Sequence, residues 1–284
     1  MSVPKPLRVV ELPPAASPLG PVLTIDPLRT FLVLCGCIAA LLAAYLCIAT
    51  VRLVTHHQSL FGMARLFDVD AEANVPTYFS VLQFTVATAL LYAIGYQARE
   101  AADRFASHWF WLGHIFLFLG VDELAQVHEL VGQALHAWLP LDGALRFVWV
   151  IPYGGFAAAV GFAYLGFLRH LSQRTRSLFV SAGLVYIGGA AGLEMYGGYL
   201  ITHLGPEAVT TSLAYLTEVF FEEGMEMFGI ALFIYTLLDY IQASTGRIRI
   251  NVGPAPAASP EQELDATGAL QILQLGERTT RRTS

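Results

Sequence analysis

The sequence predicts an all-α membrane protein: a polytopic bundle of six transmembrane helices with both termini in the cytoplasm. Hydrophobic residues make up 55% of the 284 positions and charged residues only 13%, whereas soluble globular proteins carry about 25% charged residues. Six apolar stretches are each long enough for the roughly 20 residues that cross a bilayer as a helix. The predicted spans are 30–51, 77–97, 109–137, 147–168, 178–202 and 212–238.

The segments outside the spans predict flexible cytoplasmic ends. Residues 1–28 are rich in proline, and the apolar run behind them is too long for a signal-peptide core, so we expect the first span to be retained. Residues 243–284 contain three prolines and few aromatic residues, a composition typical of disorder. A short surface helix over 263–275 is the alternative. The predicted transmembrane domain is therefore 29–242.

Basic residues predict the orientation of the bundle. They precede the first span, join spans 2 and 3 and spans 4 and 5, and follow span 6: Lys5, Arg8, Arg29, Arg99, Arg104, Arg169, Arg174, Arg176, Arg247 and Arg249. The opposite links carry only Arg52, Arg65 and Arg146. The positive-inside rule then places both termini in the cytoplasm. We expect a multi-pass protein of the bacterial inner (plasma) membrane.

Eight acidic residues lie within the predicted spans, which contain no lysine and no arginine. A carboxylate near the bilayer centre costs roughly 2.5–3.5 kcal/mol, so eight uncompensated ones would cost about 20 kcal/mol or more. That exceeds the whole stability of a typical domain, about 5–15 kcal/mol. Protons, bound metal cations or water in a cavity must therefore compensate these charges. The imbalance predicts a functional site inside the membrane.

Helical periodicity places these acids on faces that can meet. One stripe on the third span recurs at steps of four and three, and comprises Asp122, Gln126, Glu129, Gln133 and His136. The sixth span carries glutamates at steps of four, and the fifth carries one glutamate among glycines that permit close helix contact. We predict one cluster near the midplane, displaced towards the non-cytoplasmic side. Its predicted members are Asp122, Glu123, His128, Glu129, Glu194, Glu218, Glu222, Glu223 and Glu226.

Several functions are open for such a cluster. The first is cation or metal transport, in which the cluster binds a divalent metal ion or protons; carboxylates favour Mn, Mg or Ca, and histidine shifts the preference towards Zn or Fe. The second is a metal-dependent membrane enzyme, di-iron-like or hydrolytic, acting on a lipid-like substrate. A non-catalytic scaffold subunit and purely structural, protonated carboxyls are further alternatives.

The expected partners follow from the same features. They are the lipid bilayer and either a cation or a small lipid-like substrate. The sequence shows no basic patch interleaved with aromatic residues, so nucleic acid is not expected. The expected cofactor is a divalent metal ion whose identity the sequence does not reveal.

The link before the second span, LFDVDAEANVP, carries acids at alternate positions. A calcium loop would then need glycine and glutamate where Ala73 and Phe79 stand, so that pattern fails. We expect a solvated loop, with collection of cations at an outer mouth as the alternative. Asn74 and Pro76 are typical of the start of a helix.

The acids also suggest an internal repeat. The pattern Asp122-Glu123-x-x-Gln126 in the third span is echoed by Glu222-Glu223-x-x-Glu226 in the sixth. Two halves of three spans each would have opposite topology, which gives a 3+3 inverted repeat with the site at the midplane. The two segments share almost nothing besides their acids, so chance alignment is the alternative.

Overall fold

A computed structural model describes residues 22–55, 63–209, 211–245 and 248–251. This part of the chain is helical apart from two short strands, β1 (Val22–Ile25) and β2 (Ile248–Asn251), which pair with each other. The helices are α1 (Pro27–Thr55), α2 (Met63–Leu66), α3 (Val75–Glu100), α4 (Ala106–Ala125), α5 (Val127–His136), α6 (Val150–Ala163), α7 (Leu165–His170), α8 (Gln173–Ile187), α9 (Glu194–Leu204), α10 (Pro206–Val209) and α11 (Leu213–Thr245).

The chain divides into two units, Met1–Thr24 with Arg249–Ser284 and Ile25–Ile248. The described residues of the first unit are 22–24 and 249–251, which belong to β1 and β2. The second unit contains all the helices of the described residues. The last helix ends three residues beyond the predicted domain boundary at 242, and the alternative helix over 263–275 lies outside the described residues.

Four helical segments are long and apolar enough to cross a membrane, and they indicate a membrane protein: Pro27–Thr55, Val75–Glu100, Gln173–Leu204 and Leu213–Ser244. A fifth span results if α4 and α5 are counted as one broken span. The predicted fourth span, 147–168, is interrupted, because α6 has 14 residues and ends before Tyr164. Length and composition therefore support four or five of the six predicted spans within the described residues.

The third predicted span, 109–137, is not one straight helix, so the prediction of one continuous stripe from Asp122 to His136 is wrong. Gln126 adopts a left-handed conformation with φ of 55°, and α4 and α5 diverge by 72° at this residue. The Asp122 carboxylate supports the break, because its Oδ1 accepts the backbone N–H of His128 at 2.7 Å. It thereby satisfies one amide that the interrupted helix would leave unpaired.

The start of α3 confirms the helix-start prediction. Asn74 is the N-cap, and its side-chain oxygen accepts the backbone N–H of Thr77 at 3.2 Å. Its amide nitrogen donates to the carbonyl of Arg65 at 3.1 Å, which ties the preceding loop to α2. The loop 67–74 is therefore held by a buried side chain at its end.

The fifth predicted span contains a π-helical turn, Gly188–Leu193, between α8 and α9. Such a turn inserts residues and changes the direction of the side chains that follow. Glu194 is the first residue after it. A Cβ on Gly189 would lie 2.8 Å from the carbonyl oxygen of Glu222, so glycine allows this turn to pack directly on α11, as the sequence predicts.

The apolar core lies where α3, α4, α7 and α8 pack against the second half of α11. Its largest fully buried side chains include Phe84, Leu91, Trp109, Phe167 and Ile234. None of the acids predicted for the site belongs to this cluster of buried residues. The core thus occupies one part of the bundle and leaves the acidic residues to another.

Candidate metal and cation site

Glu72 and eight of the predicted site residues form three neighbouring sets. The histidine group comprises Glu72, His128 and Glu129, the central group Glu123, Glu223 and Glu226, and the groove group Glu194, Glu218 and Glu222. Electrostatic interactions connect the sets, because Glu226 interacts with members of all three. Eight of the nine predicted site residues are thus distributed over three connected sets, and the ninth, Asp122, lies beside the histidine group.

The histidine group is the place where three metal-ligand atoms come closest together in the described part of the chain. One ligand atom from each of Glu72, His128 and Glu129 lies within 4.8 Å of the other two. Glu72 comes from the loop before α3, and the other two residues open α5. A spacing of this kind allows one metal ion to contact all three side chains.

Asp122 holds His128 in place. The Nδ1 atom of His128 lies 3.2 Å from Oδ2 of Asp122, in addition to the backbone hydrogen bond at the helix break. The hydroxyl of Tyr153 donates to Oδ1 of Asp122 at 3.0 Å, and the Trp149 ring packs 5.0 Å from the imidazole, centre to centre. The Asp122 side chain is 8% exposed, so these contacts are sheltered from water.

The contact with Asp122 determines the chemistry available to the imidazole. A carboxylate beside Nδ1 favours the tautomer that carries the proton there, because that N–H can donate to it. The Nε2 lone pair is then free to bind a cation. Metal-binding histidines commonly donate their other ring N–H to a carboxylate in this way, which orients the ring and increases its basicity.

The central group joins α4 to α11. The strongest electrostatic neighbours of Glu226 are Glu123, Glu194 and Glu72, and Glu223 interacts most strongly with Glu226 and Glu123. Like charges at short range in protein surroundings repel strongly. This group therefore requires a positive partner, either protons or a bound cation.

Residues 22–240 of the chain match the model of a family described as a domain of unknown function, DUF8692. The chain belongs to the DUF8692 family. A search of curated proteins found no match. A search of solved structures also found none.

In this DUF8692 protein the groove group lies between α9 and α11. Glu218 is 3% exposed, and neither of its carboxylate oxygens has a hydrogen-bond partner among the described residues. The Glu222 carboxyl interacts with it in a stabilising sense, and its like-charge neighbours are Glu194 and Asp70. A Cβ on Gly197 would lie 2.9 Å from Oε1 of Glu218, so the carboxylate packs closely against this glycine.

The loop 67–74 is tied to the bundle, while most of its residues keep contact with solvent, so the expected solvated loop is also an anchored one. Arg52, in the last turn of α1, contacts Asp68 at 2.8 Å, and the Tyr215 hydroxyl donates to Asp70 at 3.1 Å. Loss of hydration raises the pKa of Asp70 to about 7, with a further contribution from the charge of Asp68. Burial also raises the pKa of Glu72.

Glu72 is the site residue that sequence reasoning missed. The alternation of acids in LFDVDAEANVP is the signal for it, because this pattern leaves collection of cations at an outer mouth as the alternative to a solvated loop. The observed α1 also extends past the predicted span and includes Arg52, so the acids have a basic neighbour at the loop end of the bundle.

Proposed function

We propose that this protein binds a divalent transition-metal ion at the histidine group and conducts it across the membrane along the central group. The observation that carries the proposal is the approach of Glu72, His128 and Glu129 to within 4.8 Å, beside an aspartate that orients the imidazole. Three residues from two separate elements supply this set. A merely solvated acidic surface has no need of the buried Asp122 and Tyr153 contacts behind it.

The donor set supports a transition metal over calcium or magnesium. One imidazole nitrogen with two carboxylates suits Mn, Fe or Zn, whereas calcium takes six to eight oxygen ligands and magnesium a near-octahedral oxygen shell. Three protein ligands leave further coordination positions for water. An ion held in this way can exchange, as transport requires, and structural sites that enclose their metal completely cannot do so readily.

A route for the ion continues from the histidine group. Glu123 interacts electrostatically with Glu72 and His128, and Glu226 interacts in turn with Glu123. Each step along this series places a cation between carboxylates that otherwise repel each other. Protonation of the acids when the ion has left would couple its movement to protons.

The proposal retains the six-span arrangement with both termini in the cytoplasm. Taken together, α6 and α7 cover Val150 to His170 with one interruption at Tyr164. A helical segment of this length is close to the roughly 20 residues that a span needs. A 3+3 inverted repeat remains a prediction from the echo of the acids in the third and sixth predicted spans.

Ion flux into proteoliposomes tests the proposal. We expect the purified full chain to conduct Mn²⁺ or Zn²⁺, and His128→Gln and Glu226→Gln to reduce the flux at least about tenfold, because a metal ligand or a charge on the route is lost. His136→Gln on the same helix, whose side chain is exposed, and Glu100→Gln at the exposed end of α3 are the matched controls.

The outcomes separate the alternatives. Flux that is unchanged in Glu226→Gln would contradict conduction along the central group. Metal analysis of the purified protein adds a second measurement: we expect about one ion per chain, because the described residues offer one group of three close ligand atoms. Two tightly held, redox-active iron ions would instead support the enzyme, and stable metal-free protein without flux would support a structural role.

A further inference from the structure

An open groove runs along the first turns of α11 beside α9 and the π-helical turn. Its volume is about 630 Å³. Its walls are mostly apolar, and its lining residues are Leu193, Tyr196, Leu213, Ala214, Thr217, Glu218, Phe221 and Met225. Both helical segments that border it are long and apolar enough to cross a membrane, and the proposed arrangement of spans would place the groove within reach of molecules dissolved in lipid.

Glu218 is the one acid among the described residues that line this groove. Its side chain is almost fully buried, and both carboxylate oxygens lack a hydrogen-bond partner among the described residues. Buried carboxylates in proteins are normally paired or hydrogen-bonded, since an unpartnered one carries the full cost of its desolvation. The Glu222 carboxyl can share a proton with Glu218, and a positive or hydrogen-donating molecule in the groove can compensate these oxygens as well.

The chemistry of the walls determines which cation fits. Divalent metals need several oxygen or nitrogen ligands close together. Among the described residues that line this groove only Glu218 is an acid, and the three close metal-ligand atoms of the described chain lie in the histidine group. An organic cation with a hydrocarbon body gains from the same walls by burying apolar surface. Tyr196 and Phe221 in the lining add aromatic rings, which attract ammonium groups.

We propose that this groove binds a hydrophobic organic cation, such as a long-chain alkylammonium ion, with its positive head at Glu218 and its hydrocarbon body along the apolar wall. The groove follows α11 from Leu213 to Met225, a rise of about 18 Å at 1.5 Å per residue. That length matches an alkyl chain of moderate size. This site is separate from the histidine group and goes beyond the proposed metal transport.

The acids around Glu218 argue against a phospholipid as the occupant. Glu194 and Asp70 are like-charge neighbours of Glu218, so the phosphate of a lipid headgroup would enter a field of like charge. An alkylammonium ion carries no such group. Charge complementarity therefore favours a simple hydrophobic cation.

Binding of radiolabelled dodecyltrimethylammonium to the full-length protein in phosphatidylcholine nanodiscs tests the inference, with protein-free nanodiscs as the blank. We expect saturable binding that unlabelled dodecyltrimethylammonium displaces, whereas dodecanol and dodecyl sulfate do not at the same concentration. Glu218→Gln should weaken the affinity at least about tenfold, because the charge that faces the ammonium is removed. Glu100→Gln, which removes an exposed acid outside the groove, is the matched control.

A second variant addresses the groove without altering the carboxylate. Ala214→Trp at an exposed lining position should abolish binding by filling the groove, and it keeps the result interpretable if Glu218→Gln fails to fold. His128→Gln should retain alkylammonium binding, which separates this inference from the metal proposal. Undiminished binding in either groove variant, or displacement by dodecanol as effective as by the cation, would overturn the inference.

Discussion

The two halves of α11 have opposite character although they form one continuous helix. The first half, to residue 226, carries four glutamates, and these reach both the central and the groove group. The second half carries Met227, Ile234 and Leu237, which are at most 1% exposed. The second half thus packs in the apolar core, whereas the first half carries acidic side chains that need a positive partner. The comparison indicates that stability and function are separated along the length of the helix.

The tight contacts with the fifth predicted span lie around the junction of these halves. Gly189 faces the carbonyl of Glu222, and a Cβ on Gly229 would lie 2.8 Å from the backbone nitrogen of Tyr186. Glycines on both helices therefore let the backbones approach closely, as is common between helices in membranes. This contact fixes the acidic half of α11 relative to Glu194.

The largest expected effect concerns stability in the apolar half. Leu237→Ala should lower the free energy of unfolding by about 2–5 kcal/mol, because it leaves a cavity at a fully buried position. Chemical denaturation in detergent measures the change, and Leu213→Ala, whose side chain is 74% exposed, is the control. Metal affinity should stay unchanged in the folded protein, and a parallel loss of metal would show that the two halves are not independent.

The junction should show a smaller loss of stability. Gly189→Ala should cost about 1–3 kcal/mol, because the added methyl group meets the backbone of α11, which cannot move aside cheaply. Gly192→Ala in the same π-helical turn has open space around its Cβ and should be neutral or slightly stabilising. Thermal unfolding of both variants checks this, and equal stability of the two would contradict the close packing.

A substitution beside the histidine group should lower metal affinity without a comparable loss of stability. Asp122→Asn should weaken metal binding by about 10–100-fold, because the imidazole loses the carboxylate that orients it and supports its basicity. Titration with Mn²⁺ or Zn²⁺ gives the affinity. Asp142→Asn, at a largely exposed aspartate, is the control. Unaltered affinity in Asp122→Asn would mean that Asp122 has no role behind His128.

The smallest effect on metal affinity is expected at Tyr153, which contacts Asp122 and not the metal-binding residues themselves. Tyr153→Phe removes the hydroxyl that donates to Asp122, and should weaken metal binding about three- to tenfold, in line with a net hydrogen-bond contribution of about 0.5–1.5 kcal/mol. Tyr164→Phe removes a hydrogen bond to the carbonyl of His108, outside the site, and should leave the affinity unchanged. Equal effects of the two variants would indicate a general loosening of the protein.

Much of the fold could be predicted from local patterns. Apolar runs identified the long helices, although α8 begins five residues before its predicted span and α11 ends seven residues after its own, and the Asn74 cap with Pro76 identified where α3 begins. The break at Gln126 could not be predicted in this way, because glutamine has no strong tendency towards a left-handed conformation. It is supported by Asp122, and Tyr153, more than 20 residues away, holds that carboxylate in turn.

The sequence by itself determined the class of protein and the electrical imbalance, since hydropathy and the count of acids depend on composition alone. Tertiary structure decided which acids meet, because the bend after α4 and the anchored loop bring Glu72 to His128 and Glu129. It also decided that Glu218 is buried without a hydrogen-bond partner beside a groove. Helical periodicity relates residues three or four positions apart, whereas these groupings depend on contacts between distant segments of the chain.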